Sequence, residues 1–434
     1  MPSVLESVDP VAPAALVQTR TRGTGGLAAP VATRAMDASA SEGVLADAAM
    51  HTEPLARQTR RTRHAAPVAS KGVSSTPQTI AIGLIGPGQV GRALLAQLGR
   101  SASRYGIAGG RLDLQLRALV DSRRMHFAPE RVDAAAALDA LSAGEPADLH
   151  SLADHLQSTG LPHALIVDCS GSDAVASHYA EWLAAGLHVA TPNKHAGSGD
   201  LARYRAIHAA SRSGGLFRYE ATVGAGLPII QTLRGMLDTG DALRSVDGVL
   251  SGTLAWLFNR FDGSQPFSSL VLQARALGYT EPDPRDDLSG LDVARKLVIL
   301  AREAGHALTL DQVDVESLVP PNLREVARDD FLMRITEMDA PMAARLAHAH
   351  ARDGALRYLA RLDAEGRATV GLRVPCAGHA SLHGRLTDNL IELRTARYAD
   401  NPLVVQGPGA GPEVTAAGVF GDMLAIAHSL GARF

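Results

Sequence analysis

Residues Ile80–Gly91 read I-A-I-G-L-I-G-P-G-Q-V-G and decide how the first half of the chain folds. The apolar run Ile80–Ile85 predicts a buried β-strand. Gly86, Gly88 and Gly91 follow it with the spacing G-x-G-x-x-G. The first glycine of this pattern permits a tight turn, the second lets the backbone approach a pyrophosphate, and the third lets a helix pack on the strand. The stretch therefore predicts a nucleotide-binding turn between a strand and a helix.

The predicted helix begins directly after this turn, and its apolar face consists of Val90, Leu94, Leu95 and Leu98. The N-terminus of such a helix binds phosphate groups, because its first backbone N–H groups lack partners within the helix. We therefore expect cofactor phosphates to contact the turn. The predicted cofactor-binding residues of the turn are Gly86, Gly88, Gln89, Val90 and Gly91.

Strands and helices continue to alternate along the chain. The next predicted strands are Leu112–Val120, Ala164–Asp168 and His188–Ala190. The apolar face of a helix between the last two consists of Val175, Tyr179, Trp182 and Leu183. Gly186 suits the position just after the end of that helix. Alternating strands and helices predict an α/β fold, a parallel sheet covered on both faces, of Rossmann type.

The residues after the second strand bear on the choice of cofactor. Asp121 can hold a ribose 2′-hydroxyl, which favours NAD. Arg123 and Arg124 can pair with a 2′-phosphate, which favours NADP. Asp121 lies further from the glycines than the roughly 20 residues usual for this motif, because S-R-Y-G-I-A-G-G is inserted before the strand. Both signals are present; we favour NADP(H) and leave NAD(H) open.

A second domain of α+β type is predicted from Leu216 to Asn401. Its predicted antiparallel strands are Leu243–Leu250, Leu356–Leu362, Ala368–Val374 and Asn389–Thr395. The glycine-rich turn Tyr219–Pro228 leads into a predicted helix, and Pro228 lies near the beginning of that helix. Glu220 and this turn offer a carboxylate beside carbonyl oxygens, and oxygen ligands suit a hard cation. A turn built only for packing explains the same residues.

Residues 1–78 differ in composition from the rest. They are rich in Ala, Pro, Thr, Ser and Arg and show no sustained period, which predicts a flexible extension. The cluster R-Q-T-R-R-T-R at Arg57–Arg63 can contact an acidic partner, although a solvated tail explains it as well. An organelle transit peptide is a further alternative, and the acidic residues scattered through the segment weaken it.

Composition excludes several classes of protein. The chain has 434 residues, 46% hydrophobic and 20% charged, which is typical of a globular protein with two or three domains. A net charge of −3 favours no nucleic-acid partner. No apolar run approaches the roughly 20 residues of a membrane helix. Only two cysteines occur, Cys169 and Cys376, which indicates a reducing, cytoplasmic location.

The run Tyr279–Lys296 reads Y-T-E-P-D-P-R-D-D-L-S-G-L-D-V-A-R-K and concentrates five acids in a proline-punctuated loop that enters a helix. Asp292 and Lys296 are four residues apart and therefore share one helix face. An acidic loop of this kind binds a cation or a donor-rich ligand, and the lysine can transfer a proton. A solvated ion pair is the ordinary explanation of such a pair taken alone.

Several segments, in order, resemble homoserine dehydrogenase, in the form fused to aspartokinase in bifunctional enzymes. The resemblance covers about Thr79 to Phe434. The matching segments are I-G-L-I-G-P-G-Q-V-G, V-D-C-S-G-S, T-P-N-K, Y-E-A-T-V-G-A-G-L-P-I-I, L-S-G-T-L-A-W-L-F, G-Y-T-E-P-D-P-R-D-D-L-S-G-L-D-V-A-R-K and V-T-A-A-G-V-F-G-D-M-L. No kinase-like segment precedes the match and no ACT-like segment follows it, so we expect no domain-mediated feedback by threonine.

The resemblance implies NAD(P)-dependent interconversion of L-aspartate 4-semialdehyde and L-homoserine, in biosynthesis of threonine, methionine and isoleucine. The residues it implies as catalytic are Lys296, Asp292 and Lys194. Those implied to bind substrate are Glu281, Asp287, Gly252 and Thr253, and Ser170, Lys194 and Gly411 join the cofactor-binding set. A sodium or potassium site is implied at Glu220, Val223, Ala225 and Leu227, the last three through carbonyl oxygens.

The resemblance also implies an architecture: a homodimer formed through the second domain, and a C-terminal segment, residues 402–434, that returns to the nucleotide-binding domain at residues 79–215. Two other functions remain as alternatives. A dehydrogenase for another small amino-acid aldehyde would have lost Glu281 or Asp287. A catalytically inactive nucleotide-binding paralogue would have lost Lys194, Asp292 or Lys296, and all of these residues are present.

Overall fold

The computed structural model describes residues 78–106 and 112–433, with the backbone alone at 102–106. The predicted flexible extension lies outside these residues, apart from Gln78 itself. Within them the chain forms two β-sheets, one of seven strands and one of six. The predicted fold class, a Rossmann-type α/β domain followed by an α+β domain, is confirmed by these sheets.

The first sheet contains the predicted parallel core. Its strands are β1 (Gln78–Ile85), β2 (Leu112–Val120), β3 (Arg124–Phe127), β4 (Glu145–Pro146), β5 (His163–Asp168), β6 (His188–Ala190) and β7 (Phe217–Arg218). Their spatial order is β4-β3-β2-β1-β5-β6-β7. The pairs β2-β1, β1-β5, β5-β6 and β6-β7 are parallel, whereas the pairs β2-β3 and β3-β4 are antiparallel. The sequence analysis missed β3, β4 and β7, which are too short to show a period.

Helices cover both faces of this sheet. They are α1 (Gln89–Gly106), α2 (Ala137–Ser142), α3 (Leu149–Ser158), α4 (Asp173–Ala176), α5 (Tyr179–Ala184), α6 (Lys194–Ser198) and α7 (Leu201–Ser213). The single helix predicted around Val175–Leu183 was wrong, because α4 and α5 are separate. The Ser177 hydroxyl donates to the Ala174 carbonyl (2.6 Å), a local bond that competes with continued helix. Gly186 follows α5 with φ of +85°, as predicted.

The second sheet is mostly antiparallel. Its strands are β8 (Leu243–Val249), β9 (Asp314–Val315), β10 (Arg357–Asp363), β11 (Ala368–Arg373), β12 (Asp388–Thr395) and β13 (Leu403–Pro408), in the order β13-β12-β8-β10-β11-β9. All four predicted strands are present. The unpredicted β13 pairs with β12, so the boundary placed at 401/402 is corrected: the chain stays in the second sheet through Pro408. The other domain boundaries stay predictions.

The helices of the second half are α8 (Ala221–Gly224), α9 (Ile230–Asp238), α10 (Gly252–Arg260), α11 (Phe267–Ala276), α12 (Pro284–Leu288), α13 (Leu291–Glu303), α14 (Arg328–Arg334), α15 (Asp339–His350) and α16 (Pro412–Ser429). Short 3₁₀ turns span Leu310–Gln312, Pro321–Leu323, Ile335–Met338 and Ala380–His383. The acidic run predicted as a loop contains α12.

The C-terminal α16 packs on α1, where Gln97 Nε2 donates to the Glu413 carbonyl (2.9 Å). No described helix has both the length and the apolar character needed to cross a membrane.

Candidate active site

The glycine turn lies where the chain order of the first sheet reverses, between β1 and β5, the usual ligand crevice of such sheets. Gly86 has φ of +73°, and a Cβ there would lie 2.7 Å from the Ser170 nitrogen in the loop after β5. A Cβ on Gly91 would lie 2.7 Å from the Gly86 carbonyl oxygen. Only glycine fits at these two positions, so the predicted residues Gly86, Gly91 and Ser170 are brought together.

The turn after β2 separates the roles of its two arginines. Asp121 Oδ1 accepts the backbone N–H groups of Arg123 and Arg124, both at 2.7 Å, and thereby holds the turn. The Arg124 guanidinium donates to the Gly144 carbonyl (2.9 Å). Arg123 is exposed. Arg123 is therefore the side chain better placed for a ligand beyond the turn.

Helix α13 carries two of the predicted catalytic residues. Its apolar stripe, including Val293, Leu297 and Leu300, is buried in the core. Asp292 lies in the first turn, where the positive end of the helix dipole favours a carboxylate. Lys296 lies one turn later with only 7% of its surface exposed, and its Nζ donates to the Leu250 carbonyl (2.7 Å) at the end of β8.

Asp292 bridges two lysines that lie on different helices, α6 and α13. Its Oδ2 is 2.9 Å from Lys296 Nζ, and its Oδ1 is 3.2 Å from Lys194 Nζ. Lys194 is the first residue of α6, whose N-cap is the side chain of Asn193. The structure thus joins Lys194 to Asp292 and Lys296, which follow it by about a hundred residues in the sequence.

Charge in this triad is set by burial and by mutual attraction. Burial lowers the pKa of Lys296, and the Asp292 carboxylate opposes that shift. Burial would raise the pKa of Asp292, but the ammonium groups of Lys296 and Lys194 outweigh it and hold that pKa well below its usual range. Asp292 is therefore an anion at working pH, whereas Lys296 is shifted towards proton transfer.

Lysine is rare in the whole chain. Only three of the 42 lysine and arginine residues are lysines: Lys71, Lys194 and Lys296. Two of these three flank one carboxylate. Since arginine stays protonated at any working pH and lysine does not, this placement indicates that the site needs a cation that can lose its proton.

The acidic loop contributes a second polar cluster. Asp287 accepts the Glu281 backbone N–H (2.8 Å) and the Thr253 hydroxyl (2.8 Å). Burial raises the pKa of Asp287 to about 6. Asp287 and Thr253 are therefore in direct contact, whereas the Glu281 side chain is exposed. A half-buried carboxylate of this kind suits a ligand ammonium group.

Two further predicted residues, Gln89 and Glu281, line one cleft. A cavity of about 560 Å³ is lined by Gln89 of the glycine turn and by Glu281, with Arg275 and Thr280. The structure thus places a predicted cofactor-binding residue opposite a predicted substrate-binding one. On another side, a Cβ on Gly252 would lie 3.7 Å from Ala410, next to Gly411, so these two predicted residues are also neighbours.

Known proteins are similar to this chain over most of its length. The family model for homoserine dehydrogenase matches residues 228–424, and that for the homoserine dehydrogenase NAD-binding domain matches residues 86–220. The homoserine dehydrogenase of Saccharomyces cerevisiae is 39% identical over 366 residues, which cover 81% of this chain and 99% of that relative. The chain belongs to the homoserine dehydrogenase family. The predicted resemblance is thereby confirmed.

Other relatives of the homoserine dehydrogenase family are longer. The chloroplastic bifunctional aspartokinase/homoserine dehydrogenase 2 of Zea mays is 45% identical over 361 residues, covering 82% of this chain but 39% of that protein. The chain thus spans about two fifths of the bifunctional relatives it matches. A hyperthermophilic archaeal homoserine dehydrogenase, solved in complex with NADPH, superimposes with a TM-score of 0.61 at 22% identity, over 82% of this chain and 99% of that one. A likeness at this identity shows the shared fold.

The predicted cation ligand of this homoserine dehydrogenase family member also has a structural task. Glu220 accepts the backbone N–H groups of Ile229, Ile230 and Gln231 at 2.6 to 2.8 Å and so caps α9. Ala225, later in the same glycine-rich turn, has a φ of +54°, which is unusual for a residue other than glycine. Burial raises the pKa of Glu220 while these N–H bonds oppose the shift. A sodium or potassium site at Glu220, Val223, Ala225 and Leu227 stays a prediction.

Two functional features escaped the sequence analysis. Arg302, 5% exposed on α13, donates to the carbonyls of Gly197 and Gly199, both at 2.8 Å, and so fixes α6 against α13. Asp168, fully buried, collects hydrogen bonds from the loops after β5 and β6. No motif marked Arg302, whereas the position of Asp168 at the end of a parallel strand was a usable signal.

Proposed function

We propose that the protein is an active homoserine dehydrogenase, which reversibly reduces L-aspartate 4-semialdehyde to L-homoserine with NAD(P)H. The observation that carries this proposal is the bridge from Asp292 to Lys194 and Lys296, beside the cluster of Asp287 and Thr253. This places the enzyme in the aspartate-derived route to threonine, methionine and isoleucine. The catalytic residues are intact, and no observation favours an inactive paralogue.

The proton in this reaction is assigned to a lysine. A bound nicotinamide cofactor supplies the hydride in the reducing direction. Lys296 or Lys194, as an ammonium, stabilises the developing alkoxide and donates the proton that makes the alcohol, directly or through one water. Asp292 orients both lysines and limits the fall in the pKa of Lys296. In the oxidising direction the same lysine, neutral, takes the hydroxyl proton.

The acidic loop is proposed to recognise the substrate. Glu281 and Asp287 bind its ammonium and hydroxyl ends, while Gly252 and Thr253 line the pocket. The hydrogen bond between Thr253 and Asp287 supports this assignment, because it fixes the carboxylate that would meet the ammonium. Gly252 lies beside the turn that contains Gly411, which supports contact between the substrate pocket and the cofactor turn.

NADP(H) is proposed as the preferred cofactor, with NAD(H) as a weaker substitute. The exposed Arg123 beside a turn held by Asp121 supports a 2′-phosphate partner. Glu220 and the carbonyls of Val223, Ala225 and Leu227 are proposed to bind sodium or potassium. We further propose a homodimer formed through the second domain and a cytoplasmic location.

The decisive experiment is homoserine-dependent reduction of NADP and NAD by the purified protein, side by side, in sodium, potassium or choline chloride. Reduction of either cofactor supports the proposal, and the ratio of kcat/KM values tests the assignment to Arg123. No reduction of either, although NADPH raises the melting temperature, would refute it. Binding of the cation is read separately, from the melting temperature in each salt.

A further inference from the structure

A buried carboxylate lies at the C-terminal end of β5 without a cationic partner. Asp168 is 0% exposed, and its hydrogen-bond partners among the described residues are all uncharged donors. Burial raises the pKa of Asp168, and the hydrogen bonds that it accepts oppose the shift. A buried polar group is stabilised only where donors satisfy it, so the surrounding geometry is specific to a carboxylate.

The carboxylate joins two loops. Its Oδ1 accepts the backbone N–H of Ser170 (2.7 Å) in the loop after β5. Its Oδ2 accepts Asn193 Nδ2 (3.0 Å) in the loop after β6, and also the Tyr179 hydroxyl. The Asp168 main-chain carbonyl accepts the Thr191 hydroxyl (2.8 Å). A single residue thus ties together the loops at the ends of two neighbouring strands.

The second loop leads directly to Lys194. Besides its bond to Asp168, Asn193 donates from Nδ2 to the Ser172 carbonyl (2.8 Å) and accepts the backbone N–H of His195 (3.0 Å) at Oδ1. The Asn193 backbone N–H is itself held by the Thr191 hydroxyl (2.9 Å). Every polar group of the Asn193 side chain is engaged, so the first turn of α6 has one orientation.

That orientation decides where the Lys194 ammonium lies. Lys194 Nζ is 3.2 Å from Asp292, which belongs to the other half of the site. A shift of about 1 Å in a catalytic group lowers rates on the order of 10²-fold. Holding the backbone beside Lys194 is therefore a catalytic requirement and not only a matter of stability.

We infer that Asp168 is a positioning residue, which through Asn193 holds Lys194 at its distance from Asp292. The kinetic consequence rests on the proposed function, whereas the position of Lys194 is measurable without any turnover. The residue touches neither reacting atoms nor Lys194 itself, so it acts entirely through the loop.

The first test is a double-mutant cycle. Asp168→Asn keeps the shape of the side chain but replaces one acceptor oxygen by a donor NH₂ group. We expect kcat with homoserine to fall on the order of 10- to 100-fold. In a Lys194→Ala background the same substitution should cause no further loss, because its effect passes through Lys194. Equal losses in both backgrounds would overturn the inference.

The matched control is Asp241→Asn. Asp241 is likewise buried, at 8% exposure, and accepts the Thr395 hydroxyl (2.7 Å) and the Ala242 N–H (2.9 Å) in the second sheet. This substitution should lower the melting temperature while kcat stays within about twofold, as expected for a residue that only stabilises the fold. An equal fall in kcat for both variants would make the role of Asp168 merely structural.

A second readout needs no activity. The chain has three lysines, so reductive ¹³C-methylation yields few lysine signals, and the Lys194 signal is assigned by its loss in Lys194→Arg. The ¹³C chemical shift of this signal should differ between wild type and Asp168→Asn and should stay unchanged in Asp241→Asn. An unchanged chemical shift in Asp168→Asn would overturn the inference, whereas a wild type without homoserine activity would refute only the proposed function.

If Asp168→Asn does not fold, Thr191→Val provides the same test. It removes the hydroxyl that links the Asp168 carbonyl to the Asn193 N–H while keeping the side-chain volume. The chemical shift of the Lys194 signal should change in this variant too, and an unchanged chemical shift would overturn the inference.

Discussion

Single residues define the chemistry of this protein, and lysine is the clearest case. The chain uses arginine almost everywhere, yet keeps lysine at two positions that meet one carboxylate. Arginine cannot release a proton near neutral pH, whereas a buried lysine can. Lys296 is 7% exposed whereas Arg123 is exposed, and this contrast suits the proposed roles of a proton donor and a partner for a phosphate group.

Lys296→Ala tests the proton donor. Turnover should fall on the order of 10²- to 10⁴-fold, because a donor and an oxyanion partner are lost together. The measurement is kcat for homoserine oxidation, with circular dichroism to show that the fold is kept. Lys71→Ala is the control and should be indistinguishable from wild type; turnover in Lys296→Ala within a few-fold of wild type would make the assignment wrong.

The pKa of Asp287, raised by burial to about 6, predicts a pH dependence. The carboxylate is ionised above that pH and is protonated as pH falls through it, so it then no longer attracts the substrate ammonium. We expect kcat/KM for homoserine to fall about tenfold per pH unit below about 6. Asp287→Asn should lose this acid limb and lower kcat/KM about 10- to 100-fold at pH 8.

The neighbouring Asp286 provides the matched control for this titration, because it is exposed on the same short helix. Asp286→Asn should keep the acid limb. Persistence of the limb in Asp287→Asn would show that another group controls it.

Arg123 and Arg124 differ in their contacts within the protein, so we expect their substitutions to change KM for the cofactor by different amounts. Arg123→Ala should raise KM for NADP about 10- to 100-fold and leave KM for NAD within about threefold, since only NADP carries the 2′-phosphate. Arg124→Ala should affect NADP less, because its guanidinium binds the Gly144 carbonyl. Equal effects of Arg123→Ala on both cofactors would contradict the assignment.

At the scale of elements, the site depends on how α6 meets α13. These helices carry the two lysines, and they approach closely because position 197 is glycine: a Cβ there would lie 2.9 Å from Ile299. Arg302 then donates to the carbonyls of Gly197 and Gly199 at the end of α6, and to that of Leu308. The helix pair is therefore held by close packing and by one buried guanidinium.

Arg302→Ala should lower the free energy of unfolding by about 3 kcal/mol, because three carbonyl groups lose their donor. It should also lower kcat about tenfold, since Lys194 is no longer held against Asp292. Urea denaturation and steady-state kinetics measure the two effects. Arg361→Ala, at a side chain 65% exposed, is the control and should change neither; an equal change there would remove the special role of Arg302.

At the scale of the whole molecule, the chain crosses between the two sheets more than once. It leaves the first sheet after β7, builds the second sheet through β13, and packs α16 back on α1. Residues of the site thus come from the turn after β1, the loop after β5, the helices α6, α10, α12 and α13, and the turn before α16. A site assembled from so many segments depends on the complete fold.

Residues Met1–Val73 contain no Ile, Phe, Tyr or Trp, the large side chains that fill cores. Deleting them should leave kcat within about twofold and the melting temperature within about 2 °C, because a segment without such side chains contributes little to a core. Thermal unfolding and homoserine oxidation of the truncated and full chains measure this. A large drop in either would show that the segment packs on the fold.

Local sequence patterns were enough to predict the Rossmann-type turn and the parallel core, because glycine spacing and apolar periods are local properties. The ordered motifs predicted the family and, through it, the candidate residues Lys194, Asp292 and Lys296. The contacts of the folded chain were needed to show that Asp292 lies between both lysines, that α4 and α5 are separate, and that β13 stays in the second sheet. Asp168 and Arg302 acquire their roles from partners distant in sequence, since hydrogen bonds between loops and helix ends leave no local pattern.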